Sequence, residues 1–255
     1  MIFDSHAHYD DEAFDDDRDT LLAELKEKDV DLVVNISASL GTCAGTLELI
    51  KKYDFIYGTI GVHPSETGEL VDGDELKLKE WASNDKIVAV GEIGLDYYYP
   101  EPDRECQKKW FRKQIDLAKE LKLPVVIHSR DAAADTLDII KEENVAQCGG
   151  VIHCFSYEKE MAKQYLDMGF YLGIGGVVTF KNARKLKETV EYAPLDRIIL
   201  ETDCPYLAPE PFRGKRNDSS LLKYVAEQIA GIKDIPVSEV YKVTYENAKK
   251  MYNIK

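Results

Sequence analysis

The sequence lacks the patterns that mark membrane-spanning, exported and redox proteins. No apolar run approaches the roughly 18 residues that a membrane span requires, and the start, MIFDSHAHYDD, has no basic segment followed by an apolar one. The five cysteines are odd in number and scattered, without a C-x-x-C pair, which argues against a disulfide framework, a zinc ribbon or a thioredoxin-like motif. We therefore expect a protein without a membrane association, located in the reducing environment of the cytoplasm.

The charge balance limits the possible functions further. The 255 residues include 33 lysines and arginines against 47 aspartates and glutamates, a formal net charge of −14. An acidic chain is repelled by polyphosphate at long range, so a nucleic-acid substrate would have to meet a local group of cations or bound metal ions. With 44% apolar and 31% charged residues, the composition predicts a folded globular protein rather than a disordered one.

Short β-branched runs alternate with longer amphipathic stretches from one end of the chain to the other, which is typical of repeated βα units. The predicted strands are 2–8, 31–37, 56–62, 87–95, 124–128, 150–155, 170–178 and 197–203. The predicted helices are 18–28, 46–53, 75–82, 104–121, 133–143, 158–168 and 183–192, followed by 220–232 and 238–251.

This order of elements predicts one α/β domain over residues 1–255, a (β/α)8 TIM barrel. The chain has no Pro/Gly/Ser-rich linker, repeat or low-complexity tract that would divide it. A doubly wound open sheet is the alternative, but the glycine fingerprint that it needs is missing after the first strand. Gly173, Gly175 and Gly176 lack its spacing and the helix start that should follow.

All five histidines lie at or just past the C-terminal end of a predicted strand. In a parallel barrel these ends form one rim, where active sites are built. Side chains two residues apart on a strand share a face, so His6 and His8 in the H-x-H pair can reach one metal ion. His128 and His153 end two other strands, PVVIH and GGVIH. His63, in IGVHPSE, is interpreted as an acid, a substrate ligand or a histidine simply hydrogen-bonded at the rim.

Acidic residues at the same strand ends suggest that more than one metal ion is bound. Glu92 lies inside the apolar run IVAVGEIGLD, and Glu201 and Asp203 end RIILETDCP; buried carboxylates of this kind need cationic partners. One catalytic zinc takes about three protein ligands, whereas this set is larger. A carboxylate can bridge two ions, and Glu92 is placed to do so. We therefore expect two divalent ions per subunit, zinc, manganese or magnesium.

A group of cations follows the last predicted strand, and its position predicts phosphate binding. The loop PYLAPEPFRGKRNDSS contains Arg213, Lys215 and Arg216, and Arg130 follows His128 on another strand. Guanidinium groups match phosphate oxygens, although such a loop can also be simply solvated. Aromatic residues at the same rim can stack on bases or pack against each other: Tyr97, Tyr98, Tyr99, Phe155, Tyr206 and Phe212.

Several segments taken together resemble the TatD family of metal-dependent deoxyribonucleases, within the wider amidohydrolase-like barrels. They are FDSHAH, GVHP, GEIGLDYY, PVVIHSRDA, HCFS and ETDCPYLAP followed by RGKRN, in order along nearly the full chain. Two positions depart from the family pattern. Tyr157 follows HCFS where glycine is usual, and Asp218-Ser219 follows RGKRN where Glu-Pro is common.

The resemblance implies a ligand set for each ion. One ion would be held by His6, His8, Glu92 and Asp203, and the other by Glu92, His128 and His153. The resemblance also implies supporting catalytic roles for Glu201 and His63, and contact of the loop 213–217 with substrate phosphate.

The expected reaction is hydrolysis of a DNA phosphodiester, from a chain end or on a single strand, by a hydroxide that two metal ions activate. Asp203 or Glu201 would take the proton. Three alternatives stay open. The first is an ester or amide hydrolase such as an aminoacyl-tRNA deacylase or a lactonase. The second is a histidinol-phosphatase-type barrel, although its final D-x-H is absent. The third is a barrel that binds metal without catalysis. No obligate protein partner is inferred.

Overall fold

The computed structural model describes residues 1–255 and confirms the predicted barrel. Eight strands form one sheet in the order β1 to β8, and each strand pairs in parallel with the next along the chain. The strands are β1 (Ile2–Ala7), β2 (Val30–Asn35), β3 (Ile56–Ile60), β4 (Ile87–Asp96), β5 (Val125–Arg130), β6 (Gly150–Ile152), β7 (Tyr171–Ile174) and β8 (Ile198–Leu200).

The barrel closes between its first and last strands just past their ends. Ala7 and Cys204 form a parallel bridge. The Asp203 N–H donates to the His6 carbonyl and the His8 N–H donates to the Cys204 carbonyl, each at 2.9 Å. Three predicted metal ligands, His6, His8 and Asp203, therefore take part in the backbone hydrogen bonds that join β1 to the segment after β8, and the closure itself brings these distant parts of the chain together.

Helices surround the sheet. They are α1 (Arg18–Glu24), α2 (Leu40–Lys52), α3 (Asp74–Trp81), α4 (Arg104–Leu121), α5 (Ala133–Glu142), α6 (Lys159–Asp167), α7 (Arg184–Tyr192), α8 (Leu222–Lys233) and α9 (Val237–Met251). The bounds of α4 match the prediction because Asp103 caps its first turn and Lys122 ends it in the left-handed conformation. Helix α2 begins six residues earlier than predicted, because Ser39 and Thr42 form a capping box before a glycine-containing first turn.

Strands β6 and β8 are shorter than predicted for a local backbone reason. Cys154 has a φ of 44° and Asp203 a φ of 58°, so each lies in the left-handed region and cannot continue a strand. The segments after these strands therefore leave the ladder and turn over the rim. Cys154 and Asp203 take positions there that simple alternation along a strand does not predict.

Two apolar clusters hold the barrel. The larger contains 53 buried residues, and the smaller contains Val126, Val151 and Ile199 together with Met251 and Tyr252 at the end of α9. Each of these three strand residues lies two positions before a site residue (128, 153 and 201), so the site side chains start from the same inward face. The site thus rests on a packed apolar floor. None of the helices combines the length and apolar character needed to cross a membrane.

Candidate metal centre

Glu92 lies at the centre of the histidines, and its two oxygens face different groups. Oε2 is 3.4 Å from His6 Nε2 and 4.0 Å from His8 Nε2. Oε1 is 2.8 Å from His128 Nδ1 and 3.0 Å from His153 Nε2. The carboxylate is 4% exposed. A single buried side chain therefore contacts histidines from three other strand ends.

The first group of possible ligands comes from the β1 and β8 ends. The Nε2 atoms of His6 and His8 are 3.1 Å apart, and Asp203 Oδ1 is 3.6 Å from the first and 3.3 Å from the second. His8 Nδ1 lies 2.9 Å from the Ile36 carbonyl, which only an N–H can satisfy. The proton of neutral His8 is therefore on Nδ1, and the lone pair on Nε2 points toward Asp203.

The second group comes from β4, β5 and β6. His128 Nδ1 and His153 Nε2 are 3.4 Å apart, and both face Glu92. The other nitrogen of His128, Nε2, lies 3.2 Å from Asp96 Oδ2, so the carboxylate of Asp96 accepts its proton. In neutral His128 this hydrogen bond leaves the lone pair on Nδ1, facing Glu92, whereas protonated His128 donates from Nδ1 to Glu92. Asp96 thus orients His128.

Burial and neighbouring charges shift the pKa values of these groups, in opposite directions at Glu92 and His8 and in the same direction at His63. Burial raises the pKa of Glu92, but the attraction of His153 and the hydrogen bonds from His128 and His153 outweigh it and hold this pKa well below its usual value. Burial likewise lowers the pKa of His8, but Asp203 and Glu92 raise it to about 9. Burial and the neighbouring His128 lower the pKa of His63 to about 3, so that this imidazole is neutral at neutral pH.

The residues present fit divalent cations. Imidazole nitrogens 3.1 to 3.4 Å apart, with carboxylate oxygens facing them, would repel each other as lone-pair donors and suit a positive ion. Two further observations agree: Nδ1 of both His6 and His153 and Oε2 of Glu201 are buried without a hydrogen-bond partner. Ligand atoms close enough to share an ion occur in the sets His6, His8, Asp203; His6, His153, Glu201; and His63, Glu92, His128.

The two predicted supporting residues, His63 and Glu201, lie in different positions relative to the cavity. His63 lines the cavity in front of the ligands, with Nε2 3.8 Å from Glu92 Oε1 and Nδ1 2.8 Å from the Ser65 hydroxyl. Glu201 is buried and does not line the cavity. Its Oε1 is 3.5 Å from His153 Nδ1 and accepts the Cys154 N–H at 2.5 Å. Glu201 therefore lies behind His153 and outside the cavity wall.

A cavity of about 510 Å³ opens over the ligands, and only one of the four predicted phosphate-binding cations lines it. Arg130 is its only lining lysine or arginine. Lys215 and Arg216 line a shallower neighbouring cleft, and Arg213 stacks on Phe180 at 4.3 Å. The guanidinium of Arg216 already donates to both oxygens of Asp17, at 2.8 and 2.6 Å. The 213–217 loop is therefore not part of the cavity wall, because its cations have partners or positions elsewhere.

The sequence analysis did not identify Asp10 and Asp11 as site residues, although both line the cavity. They follow the H-x-H pair after one residue in HAHYDD, and this closeness to two predicted ligands could have indicated them. The two departures from the family pattern lie outside the cavity wall. The Tyr157 hydroxyl lies 2.9 Å from the Ser129 hydroxyl, and Ser219 donates to the buried Asp4 at 2.6 Å. Neither departure therefore changes a side chain of the cavity wall, and both contact neighbouring residues instead.

A parallel barrel with these ligands gathered at its C-terminal rim has the architecture of a metal-dependent hydrolase. The family model described as "TatD related DNase" matches residues 3–253. One relative of this chain is YabD of Bacillus subtilis, an uncharacterized metal-dependent hydrolase. It is 45% identical over 254 residues, with 100% of both chains covered. YcfH of Escherichia coli, described in the same words, is 40% identical over 257 residues, covering 100% of this chain and 96% of YcfH.

Comparison with a solved structure also indicates the TatD family. YjjV, a TatD homologue from Escherichia coli, superposes with a TM-score of 0.94 at 27% identity, covering 100% of this chain and 98% of YjjV. The chain belongs to the TatD family, and it is a metal-dependent hydrolase of that family. The family prediction made from the sequence segments is confirmed.

Proposed function

We propose that this protein hydrolyses phosphodiester bonds of DNA, acting from a chain end or on a single strand, with two divalent ions of zinc, manganese or magnesium. The observation that carries the proposal is the position of Glu92, which faces His6 and His8 with one oxygen and His128 and His153 with the other. Two ions held by these residues would polarise a phosphoryl oxygen and lower the pKa of water, as phosphodiester hydrolysis requires.

The residues of the chain supply the remaining parts of the reaction. Burial raises the pKa of Asp203, but the hydrogen bond from His8 and the attraction of His153 outweigh it and keep the carboxylate ionised. Asp203 also lines the cavity, so it can accept the proton of an attacking water. Neutral His63 lies at the wall, where its imidazole can hydrogen-bond to a substrate oxygen. Arg130 offers a guanidinium to phosphate.

The size of the cavity supports a chain end as substrate. About 510 Å³ lies within the range of small-ligand sites, roughly 300–1,000 Å³. A terminal nucleotide can enter such a space, whereas the middle of a duplex cannot bring its backbone to ligands at the bottom of the cavity. The net charge of −14 also disfavours a broad contact with duplex DNA.

The direct test is a nuclease assay with metal removal and replacement. Protein stripped with a chelator should be inactive on a labelled single-stranded oligonucleotide, and zinc, manganese or magnesium should restore stepwise shortening from one end. Elemental analysis should give two ions per chain in the reactivated protein. Metal-loaded protein that leaves single-stranded, duplex and nicked DNA intact would contradict the proposal.

A second candidate, hydrolysis of an aminoacyl ester, is favoured by a different observation. Asp10 and Asp11 line the same cavity as Arg130, so the wall carries carboxylates that suit the ammonium group of an aminoacyl substrate. Assaying an aminoacyl-tRNA, a lactone and the oligonucleotide with one metal-loaded preparation separates the candidates. A kcat/KM at least tenfold higher on the aminoacyl ester would favour this second function.

A further inference from the structure

Exposed aromatic side chains concentrate at the rim that carries the metal centre. Nine large apolar side chains are exposed on the whole protein, and five of them follow β4 or β8: Tyr98, Tyr99, Tyr206, Leu207 and Phe212. Tyr98, Tyr99 and Tyr206 are each 55–56% exposed. Exposed apolar groups gathered around one opening mark a binding surface more often than a solvated one.

Two of these tyrosines form part of the cavity itself. Tyr99 follows β4 and Tyr206 follows β8, and both line the space over the metal ligands. In an eight-stranded barrel with the order β1 to β8, these two strands lie on opposite sides. The mouth of the cavity therefore has a phenol ring on each of two opposing walls.

Arg130 is the cation of this mouth, and it has no carboxylate partner. No aspartate or glutamate lies within ion-pair distance of its guanidinium, in contrast to Arg18, Arg112 and Arg216. Instead, its Cζ lies 3.7 Å from the ring centroid of Tyr98 and 5.8 Å from that of Tyr99. Stacking uses the face of the guanidinium and leaves the N–H groups at its edge free to donate.

The backbone holds this stacked pair in place. The Tyr97 N–H donates to the Arg130 carbonyl at 2.9 Å, and Asp96 pairs with Arg130 in the β4–β5 ladder. The Tyr98 N–H in turn donates to Asp96 Oδ1 at 2.9 Å. These contacts fix the backbone positions from which the Tyr98 ring and the Arg130 guanidinium extend, and the two groups are stacked without a ligand.

The opposite side of the rim carries charge of the other sign. Asp10 and Asp11 line the cavity, and the adjoining cleft adds Glu12, Asp15 and Asp16, which outnumber its two cations, Lys215 and the Arg216 that is paired with Asp17. A polyanion approaching the metal ligands is repelled from the β1 side and attracted to the β4–β5 side. The charge difference across the mouth thus favours one direction of approach, over Arg130 and Tyr98.

We propose that Arg130 and Tyr98, with Tyr99, form the nucleotide-recognition site of this enzyme. Arg130 donates to a phosphate beside the one that is cleaved, which a diester with a single phosphate lacks, and the exposed ring of Tyr99 stacks on the terminal base. These residues determine specificity for a nucleotide-containing diester over a diester without a base. This inference rests on the proposed nuclease function and adds the residues that select the substrate.

The test compares three substrates: a single-stranded oligonucleotide, the same strand with an abasic terminal residue, and methyl p-nitrophenyl phosphate, which has no base. Arg130→Gln should lower kcat/KM on the oligonucleotide at least tenfold, mainly through KM, and change the small diester less than threefold. Tyr99→Ala should lower it about tenfold on the normal strand, in line with the stacking of one base, and leave the abasic strand unchanged.

The chain offers matched controls for both variants. Arg104 stacks on Tyr97 at 4.2 Å, has no carboxylate within ion-pair distance and does not line the cavity. Tyr192 is 47% exposed and also lies outside the cavity. Arg104→Gln and Tyr192→Ala should therefore leave all three activities within twofold of the wild-type protein. Circular dichroism and metal content should match for every variant.

The outcomes separate this inference from the proposed function. Fluorescence anisotropy with a strand in which only the terminal linkages are methylphosphonates, while every other phosphate keeps its charge, measures binding alone. Cleavage of DNA that Arg130→Gln and Tyr99→Ala leave unchanged overturns the recognition site only. Equal losses on all three substrates also overturn it, because they indicate damage to the metal centre. If the wild-type protein binds the strand through Arg130 but cleaves none, only the nuclease proposal fails; absence of both binding and cleavage overturns both.

Discussion

The carboxylate of Glu201 occupies the space over Gly173 where any other residue would place its side chain. A Cβ on Gly173 would lie 2.1 Å from Glu201 Oε2 and 2.6 Å from its Cδ. Glu201 can approach His153 and the Cys154 N–H only because β7 provides no side chain at this position. The glycine on β7 is thus part of the support of a metal ligand on β6.

Replacing Gly173 with alanine should displace Glu201 and weaken metal binding through His153. We expect metal affinity or activity to fall about 10- to 100-fold, the usual effect of losing a partner of a ligating histidine. Stability should fall by about 1–3 kcal/mol because the site has no room for a methyl group. Metal titration and thermal unfolding measure the two effects. The control is Gly231→Ala in α8, where a Cβ would meet nothing within 4 Å; an equal loss there would contradict the explanation.

The position of Glu92 between two groups of histidines leads to a prediction about metal stoichiometry. Glu92→Gln keeps the size of the side chain but replaces one carboxylate oxygen with an amide NH2, which cannot bind a cation. We expect the bound metal to fall from two equivalents to one or fewer, and hydrolysis to fall at least about 100-fold. Elemental analysis of dialysed protein and a nuclease assay provide the measurements. Exposed Glu160→Gln is the control, and two tightly bound ions in Glu92→Gln protein would exclude the bridge.

Asp96 should act through His128, and two substitutions distinguish this role from direct contact with substrate. Asp96→Asn retains an oxygen that can accept the Nε2 proton, whereas Asp96→Ala removes it and frees His128 to change tautomer. Metal affinity should fall about 10- to 100-fold for alanine and less than that for asparagine. Isothermal titration with manganese provides the comparison. If both variants bind metal as the wild type does but lose activity, Asp96 acts on substrate instead.

Metal affinity should rise with pH because a cation and a proton compete for His8. Asp203 and Glu92 raise the pKa of His8 to about 9, so this imidazole is protonated at neutral pH and must release a proton when it binds metal. The affinity should therefore increase by about tenfold per pH unit below pH 9 for each proton displaced. Calorimetry in two buffers of different ionisation enthalpy measures the release. Affinity that is constant between pH 6 and 8 would contradict this competition.

Much of the fold could be predicted from local patterns. The β-branched runs and amphipathic stretches indicated eight strands and their helices, because strand and helix periods leave distinct apolar patterns in a sequence. The bounds of α4 were predicted because Asp103 and Lys122 are local end signals. The ends of β6 and β8 were predicted three residues too far along the chain, because the left-handed backbone of Cys154 and Asp203 depends on the turn over the rim.

The sequence by itself determined which residue types stand at the strand ends, since that depends only on order along the chain. The partners of those side chains were decided by the tertiary structure. Arg216 pairs with Asp17, 199 positions away, rather than lining the cavity, and Glu201 lies behind His153 rather than in the cavity wall. Distance in space between such residues follows from barrel closure and packing, and no local pattern contains that information.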